Sequence, residues 1–251
     1  MRVIGVGIGA AAAALGVVAV AAVMKGALGF GFPLIAVPTL AGIIGARPAV
    51  LVVAIPALVA NLLILRGCRR HRLEPWFLRL AGAVLVGAVA GALLFGHLPA
   101  HTLTLGLGII TLALVAALGR KSPGPATAER LRAWAPLAGL VVGVLGGATD
   151  ISGPGLVAFL TAIERDRDRF IYALTLLYVI LGVAQVTTLA RTGAYSPALL
   201  VAAAGACVPM AAGVAIGARI RARLPSELFR RIVLAVVVIS ALNLVRQGIW
   251  G

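Results

Sequence analysis

The chain has 251 residues, is 62% hydrophobic, and carries 22 Lys and Arg against 7 Asp and Glu, a formal charge of +15. Soluble domains are about 45–50% apolar, so one buried core does not account for the excess; unbroken apolar runs such as residues 80–95 and 232–242 exclude the alternation of a membrane β-barrel. The basic residues fall in short clusters between apolar runs, not in a stripe interleaved with aromatics, so the charge points to a bilayer-embedded helical protein and away from nucleic acid.

In chain order, the apolar elements expected are 3–24, a short one at 33–44, then 48–65, 76–96 and 102–118. The N-terminal stretch follows Arg2 and runs into a Gly-rich motif that recurs later, so it reads as a retained helix and not a signal peptide. The longest polar segment, 120–132, holds Pro123, Gly124 and Pro125 and reads as a linker. After it come a short element at 134–148, a shorter one at 154–163, and then 170–190, 197–218 and 227–245. A full crossing needs about 20 apolar residues. The organisation expected is therefore a first transmembrane repeat over 1–118, a cytoplasmic linker over 119–133 and a second repeat over 134–251. The fold class is an all-α integral membrane protein of two inverted five-element repeats, each with a short, broken or re-entrant helix hairpin.

The repeat rests on a local match. Gly26, Ala27, Leu28, Gly29, Phe30, Gly31, Phe32 and Pro33 align with Gly147, Ala148, Thr149, Asp150, Ile151, Ser152, Gly153 and Pro154. Both segments follow an apolar helix, are Gly-rich, end at Pro and lead into a short apolar helix. Paired interruptions at corresponding places in two halves mark the binding site of a repeat-built transporter. Placing the cluster Arg66, Arg69, Arg70 and Arg72 in the cytoplasm, with each short pair returning to its own side, puts 17 of the 22 Lys and Arg inside. The first half then begins outside and the second inside.

The candidate site follows from these breaks. Pro33 and Pro154 suit the first turn of a helix, whose unpaired N–H groups and dipole favour an anion. Lys25 lies in an apolar stretch just before the first motif, where a charge is costly and needs compensation; snorkelling to the outer interface is the bland alternative. Asp150 takes the place of Gly29 in the repeat. Its possible roles are an ion pair with Lys25, a proton carrier, a cation ligand, or an N-cap of the following helix. Thr149 and Ser152 carry hydroxyls that suit a ligand. Asn61 and Gln185, with Thr187 and Thr188, lie in the third element of each half and are secondary candidates, interhelical hydrogen bonds being the commoner use.

No catalytic set emerges. Intramembrane proteolysis needs two acids or a Ser–His pair, and neither a His-Glu-x-x-His motif nor a P-loop occurs. Cys68 and Cys207 lack metal or redox spacing, and His71, His97 and His101 read as loop residues. No metal site and no cofactor are expected.

The segment 143–160, with Gly146, Gly147, Ile151, Ser152, Gly153 and Pro154 leading into a short apolar helix, resembles the TauE/SafE sulfite exporter family. The first motif, Gly29, Phe30, Gly31, Phe32 and Pro33 running on to Val37 and Pro38, is similar to that family's first repeat. The resemblance implies transport of sulfite, thiosulfate, sulfonates or related sulfur-containing anions without an organic cofactor. It implies that Gly29 to Pro33 and Ile151 to Pro154 are parts of the permeation site. Two positions depart from the family pattern: Gly155 stands where a second Pro is frequent, and Asp150 where a small residue is expected. The added negative charge favours a neutral, monoanionic or proton-coupled substrate over a dianion.

The function expected is thus a secondary permease for a small sulfur-containing anion in the bacterial inner membrane, multi-pass, with Asp150 as proton-coupling candidate. Two rivals remain at this stage: a cation or metal permease with Asp150 as ligand, and a non-transporting membrane assembly protein. The partners are a small anion and the bilayer; homo-oligomerisation stays open.

Overall fold

The apolar runs become helices because their backbone N–H and C=O groups have no water to bond and must pair within the segment. A computed structural model describes residues 8–68, 71–95, 125–164 and 166–250, together with Ile109 and Leu112. Its helices are α1 (Ile8–Leu28), α2 (Phe32–Ile44), α3 (Ala46–Gly67), α4 (Pro75–Leu93), α5 (Pro125–Ala133), α6 (Ala135–Thr149), α7 (Gly153–Ile163), α8 (Arg167–Arg191), α9 (Pro197–Arg223) and α10 (Ser226–Trp250). Among the described residues there is no strand. Among the described residues four helices, α3, α4, α8 and α9, are long and apolar enough to cross a membrane. Apart from Ile109 and Leu112, the element expected at 102–118 lies outside the described residues, as do His97 and His101. Residues 125–133 of the expected linker form α5.

Polar residues punctuate the chain where helices end. Asp166 caps α8 by accepting from the Arg169 N–H at 2.8 Å, and Ser196 caps α9 by accepting from the Leu199 N–H at 3.3 Å. Pro75, Pro136, Pro154 and Pro197 sit in first turns, where a missing N–H costs nothing.

Two helix pairs pack most extensively, α4 with α6 and α1 with α9. Lipid tails are as apolar as leucine, so what draws membrane helices together is close van der Waals fit, which small residues permit. Each pair is built on glycines whose missing Cβ is replaced by a neighbour's backbone carbonyl. In α4, Gly87 meets the carbonyl of Leu140 and Gly91 that of Val144, while Gly147 of α6 meets that of Ala88. In the other pair, Gly213 meets the carbonyl of Ala19, Gly217 that of Val23, and Gly26 of α1 that of Val214. Gly26 is the counterpart of Gly147 in the motif alignment. Ala19 and Val23 are likewise the counterparts of Leu140 and Val144, so the three contacts recur at corresponding residues. In both pairs the contact positions ascend together, so the paired helices run parallel.

The first helix of each half therefore packs on the fourth helix of the other half. Helices α1, α2, α3 and α9 form one packed group, and α4, α5, α6, α7, α8 and α10 form a second. The principal contact between the groups is the crossing of α3 with α8, where Gly182 lies against Leu58.

One end of the bundle gathers the basic loops. Glu74, before α4, accepts from Trp76 Nε1 at 3.0 Å and lies 3.6 Å from Arg132, whose guanidinium stacks over Trp76. This fixes the start of α6 beside the start of α4. Arg167, at the start of α8, donates to the Leu224 carbonyl at 2.8 Å just past α9, and His71 meets Tyr172 edge-on at 5.7 Å. Helix α6 thus leaves this end, and α7 comes back to it.

Candidate functional site

Both helix breaks are made the same way. Gly29 ends α1 in the left-handed conformation (φ 86°), its N–H donating to the Lys25 carbonyl at 2.7 Å. Asp150 ends α6 in the same conformation (φ 61°), its N–H donating to the Gly146 carbonyl at 2.7 Å. Left-handed backbone is glycine territory; Asp is among the few side chains that adopt it at modest cost. Asp150 is therefore the C-cap of α6. The N-cap position of α7 belongs to Ser152, and no side chain caps either α2 or α7. The first-turn N–H groups of both short helices are left without a side-chain acceptor.

Two side chains hold the second break in shape. The Thr149 hydroxyl donates to the Leu145 carbonyl at 2.7 Å and accepts from the Ile151 N–H at 3.1 Å. Gln185 of α8, fully buried, donates from Nε2 to the carbonyls of Gly146 and Gly147 at 3.2 and 3.1 Å. The Gly147 carbonyl lies in the last turn with no helical partner of its own, while that of Gly146 also accepts from the Asp150 N–H. Replacing Gln185 with Leu leaves the Gly147 carbonyl bare, and a buried unsatisfied carbonyl costs about 1–3 kcal/mol. The expected outcome is a lowered melting temperature in detergent; a Gln185→Leu protein as stable as the parent would show that the break does not depend on this bridge.

Between the two breaks lies a cavity lined from both of them. The first half contributes Lys25, Gly31, Pro33 and Asn61; the second contributes Asp150, Ile151, Ser152 and Gly153. These were the sequence candidates, and the fold brings them together from segments more than a hundred residues apart. Gly29, Phe30, Phe32, Thr149, Pro154 and Gln185 stand behind the lining. Phe30 and Phe32 are fully buried, and Thr149 and Gln185 bond to backbone as described. Thr187 bonds carbonyls of its own helix.

Lys25 is 2% exposed and Asp150 7%. Among the described residues no Lys25–Asp150 contact within 4.0 Å occurs. Instead the Lys25 ammonium lies over the Tyr178 ring, 4.9 Å from its centroid. Asp150 Oδ2, Asn61 Oδ1 and the Tyr178 hydroxyl are buried without partners. Among the described residues no three His, Cys, Asp or Glu side chains gather as a metal site; Asp150 is the one carboxylate lining the cavity.

Sequence reasoning passed over Tyr178. Its only sequence signal is its place on α8, two turns before Gln185 and so on the same face.

A helical membrane protein whose two helix breaks meet at a cavity lined by the buried Lys25 and Asp150 has the construction of a membrane transporter. The chain belongs to the TauE/SafE sulfite exporter family: the family model described as Sulfite exporter TauE/SafE matches residues 4–244. Neither the curated proteins nor the solved structures gave a match to it.

Proposed function

We propose that this protein is a secondary transporter that moves a small sulfur-containing anion, such as sulfite, thiosulfate or an organosulfonate, across the bacterial inner membrane, with a proton carried on Asp150. The observation that carries the reading is the convergence of two uncapped helix N-termini and the buried Lys25 on one cavity. Partial positive charge from two helices and a full charge from Lys25 make an anion the fitting occupant.

Asp150 sets the charge balance. With Lys25 charged and Asp150 ionised, the cavity is neutral and an entering anion meets a like charge. Once Asp150 takes a proton, Lys25 is unbalanced and a monoanion restores neutrality. Anion and proton then bind together and travel together.

Alternating access follows from inverted repeats, which the recurring glycine contacts support. In this mechanism the two packed helix groups rock about the α3–α8 crossing, opening the cavity to one side and then the other.

The test is thermal stabilisation of the purified protein by a panel of sulfur oxyanions, sulfonates and carboxylates at two pH values. A ligand bound only by the native state stabilises it by RT ln(1 + [L]/Kd). Stabilisation by sulfite, thiosulfate or a sulfonate, lost in Lys25→Met, is the expected result. Stabilisation by divalent metals alone would overturn it. For coupling, Asp150→Asn is expected to fold normally, because Asn also tolerates left-handed backbone, and to lose pH-driven flux in proteoliposomes. Unchanged pH dependence in that variant would remove Asp150 from the coupling step.

A further inference from the structure

We propose that Tyr178 is the hydrogen-bond donor that selects an oxyanion in this cavity, while its ring holds the Lys25 ammonium beside the same ligand. This rests on the anion reading above and assigns a residue and a selectivity to it.

Tyr178 comes from α8 and lines the cavity. It is 7% exposed, and its hydroxyl is buried with no partner. Buried polar groups in folded proteins nearly always have one, so an unpartnered hydroxyl on a residue that lines a cavity points to a ligand that supplies it. The position matches. A Cβ built on Gly153 would lie 3.4 Å from the Tyr178 hydroxyl oxygen, so that hydroxyl stands beside the first turn of α7. There the uncapped N–H groups of the short helix begin.

The face of the ring is already in use. Lys25 Nζ lies 4.9 Å from its centroid, inside the roughly 6 Å reach of a cation–π contact. One residue thus joins the lysine of the first half to the helix start of the second. Three kinds of donor then surround one space: a phenol O–H, an ammonium and backbone N–H groups. A ligand with several acceptor oxygens on one centre satisfies them together. A halide is a single acceptor and reaches fewer of them at once. The site so built prefers oxyanions of sulfur over chloride.

The experiment uses the full-length protein and its Tyr178→Phe and Tyr178→Leu variants. Melting is followed in sodium sulfite, sodium thiosulfate, sodium methanesulfonate and sodium chloride. Tyr178→Phe keeps the ring and so keeps Lys25 in place. Without ligand it is expected to melt at the parent temperature or above, because an unsatisfied hydroxyl has been removed. Its affinity for the stabilising oxyanion is expected to fall about 10- to 100-fold, the worth of a hydrogen bond to a charged group, with the chloride response unchanged. Tyr178→Leu removes ring and hydroxyl and is expected to lose more. Parent-like oxyanion affinity in Tyr178→Phe overturns the assignment of Tyr178 alone. So does a lower ligand-free melting temperature with oxyanion and chloride responses reduced equally, since the hydroxyl would then be structural. No stabilisation of the parent protein by any of the sulfur anions overturns the anion reading and this inference with it.

Discussion

Replacing Lys25 with Met is expected to weaken anion binding by about two orders of magnitude and to stop flux, while leaving the protein folded. Two unit charges about 6 Å apart interact by about 3 kcal/mol at an effective dielectric of 20, which is about a hundredfold in affinity. The helix N-termini remain in the variant, so residual weak binding is expected. Folding should survive because Lys25 makes no salt bridge whose loss would strand a partner: its described contact is the Tyr178 ring, which also accepts a methionine sulfur. The measurement is a binding isotherm and a flux assay on the same preparation, with Lys25→Met/Asp150→Asn as companion. A Lys25→Met protein that binds sulfite or thiosulfate as the parent does would place the anion elsewhere.

Gly91→Ala and Gly217→Ala are expected to be the most damaging single-methyl changes in the bundle. An added Cβ at Gly91 lands on the carbonyl of Val144, and one at Gly217 on the carbonyl of Val23. Backbone in a packed helix cannot give as a side-chain end can, so the helices must separate; overpacking of this kind costs about 1–3 kcal/mol and occasionally more. The controls lie on the same helices. Gly82 of α4 and Gly205 of α9 are exposed, and a Cβ at either meets nothing within 4 Å. There the better helix propensity of Ala stabilises by up to about 1 kcal/mol. Melting temperatures of the four variants should therefore split into two down and two unchanged or up. Equal effects at Gly82 and Gly91 would show that the α4–α6 contact is looser than its geometry requires.

Much of this protein is legible in its sequence. The helices are apolar runs bounded by Pro, Ser, Asp and Arg, and their starts and stops follow from caps and charges near the membrane edge. The two breaks were visible as Gly- and Pro-rich interruptions at matching places, and their motifs carried the family resemblance that the family match shows. The isolation of Lys25 and Asp150 within apolar stretches marked them before any fold was known.

Other features were not legible. Thr149 looked like a ligand donor, yet its hydroxyl bonds Leu145 and Ile151; a short polar side chain beside a helix end has backbone within reach that the sequence does not show. Asp150 could be read as a cap of the following helix. Its left-handed backbone makes it the cap of the preceding one, a choice of φ that depends on the chain's path. Part of the linker became α5, which carries Arg130 and Arg132 toward the Glu74 end of α4.

By itself the sequence determined the class: an apolar, positively edged chain has only helices with which to satisfy its backbone in lipid. It also determined where those helices break, because glycine and proline act locally. Only the tertiary structure decided that each half lends its fourth helix to the other, that Tyr178 lies under Lys25, and that one cavity joins the two motifs. A membrane helix is apolar toward lipid and toward protein alike, so its periodicity does not reveal which face meets which neighbour. Close backbone fit at a few glycines does.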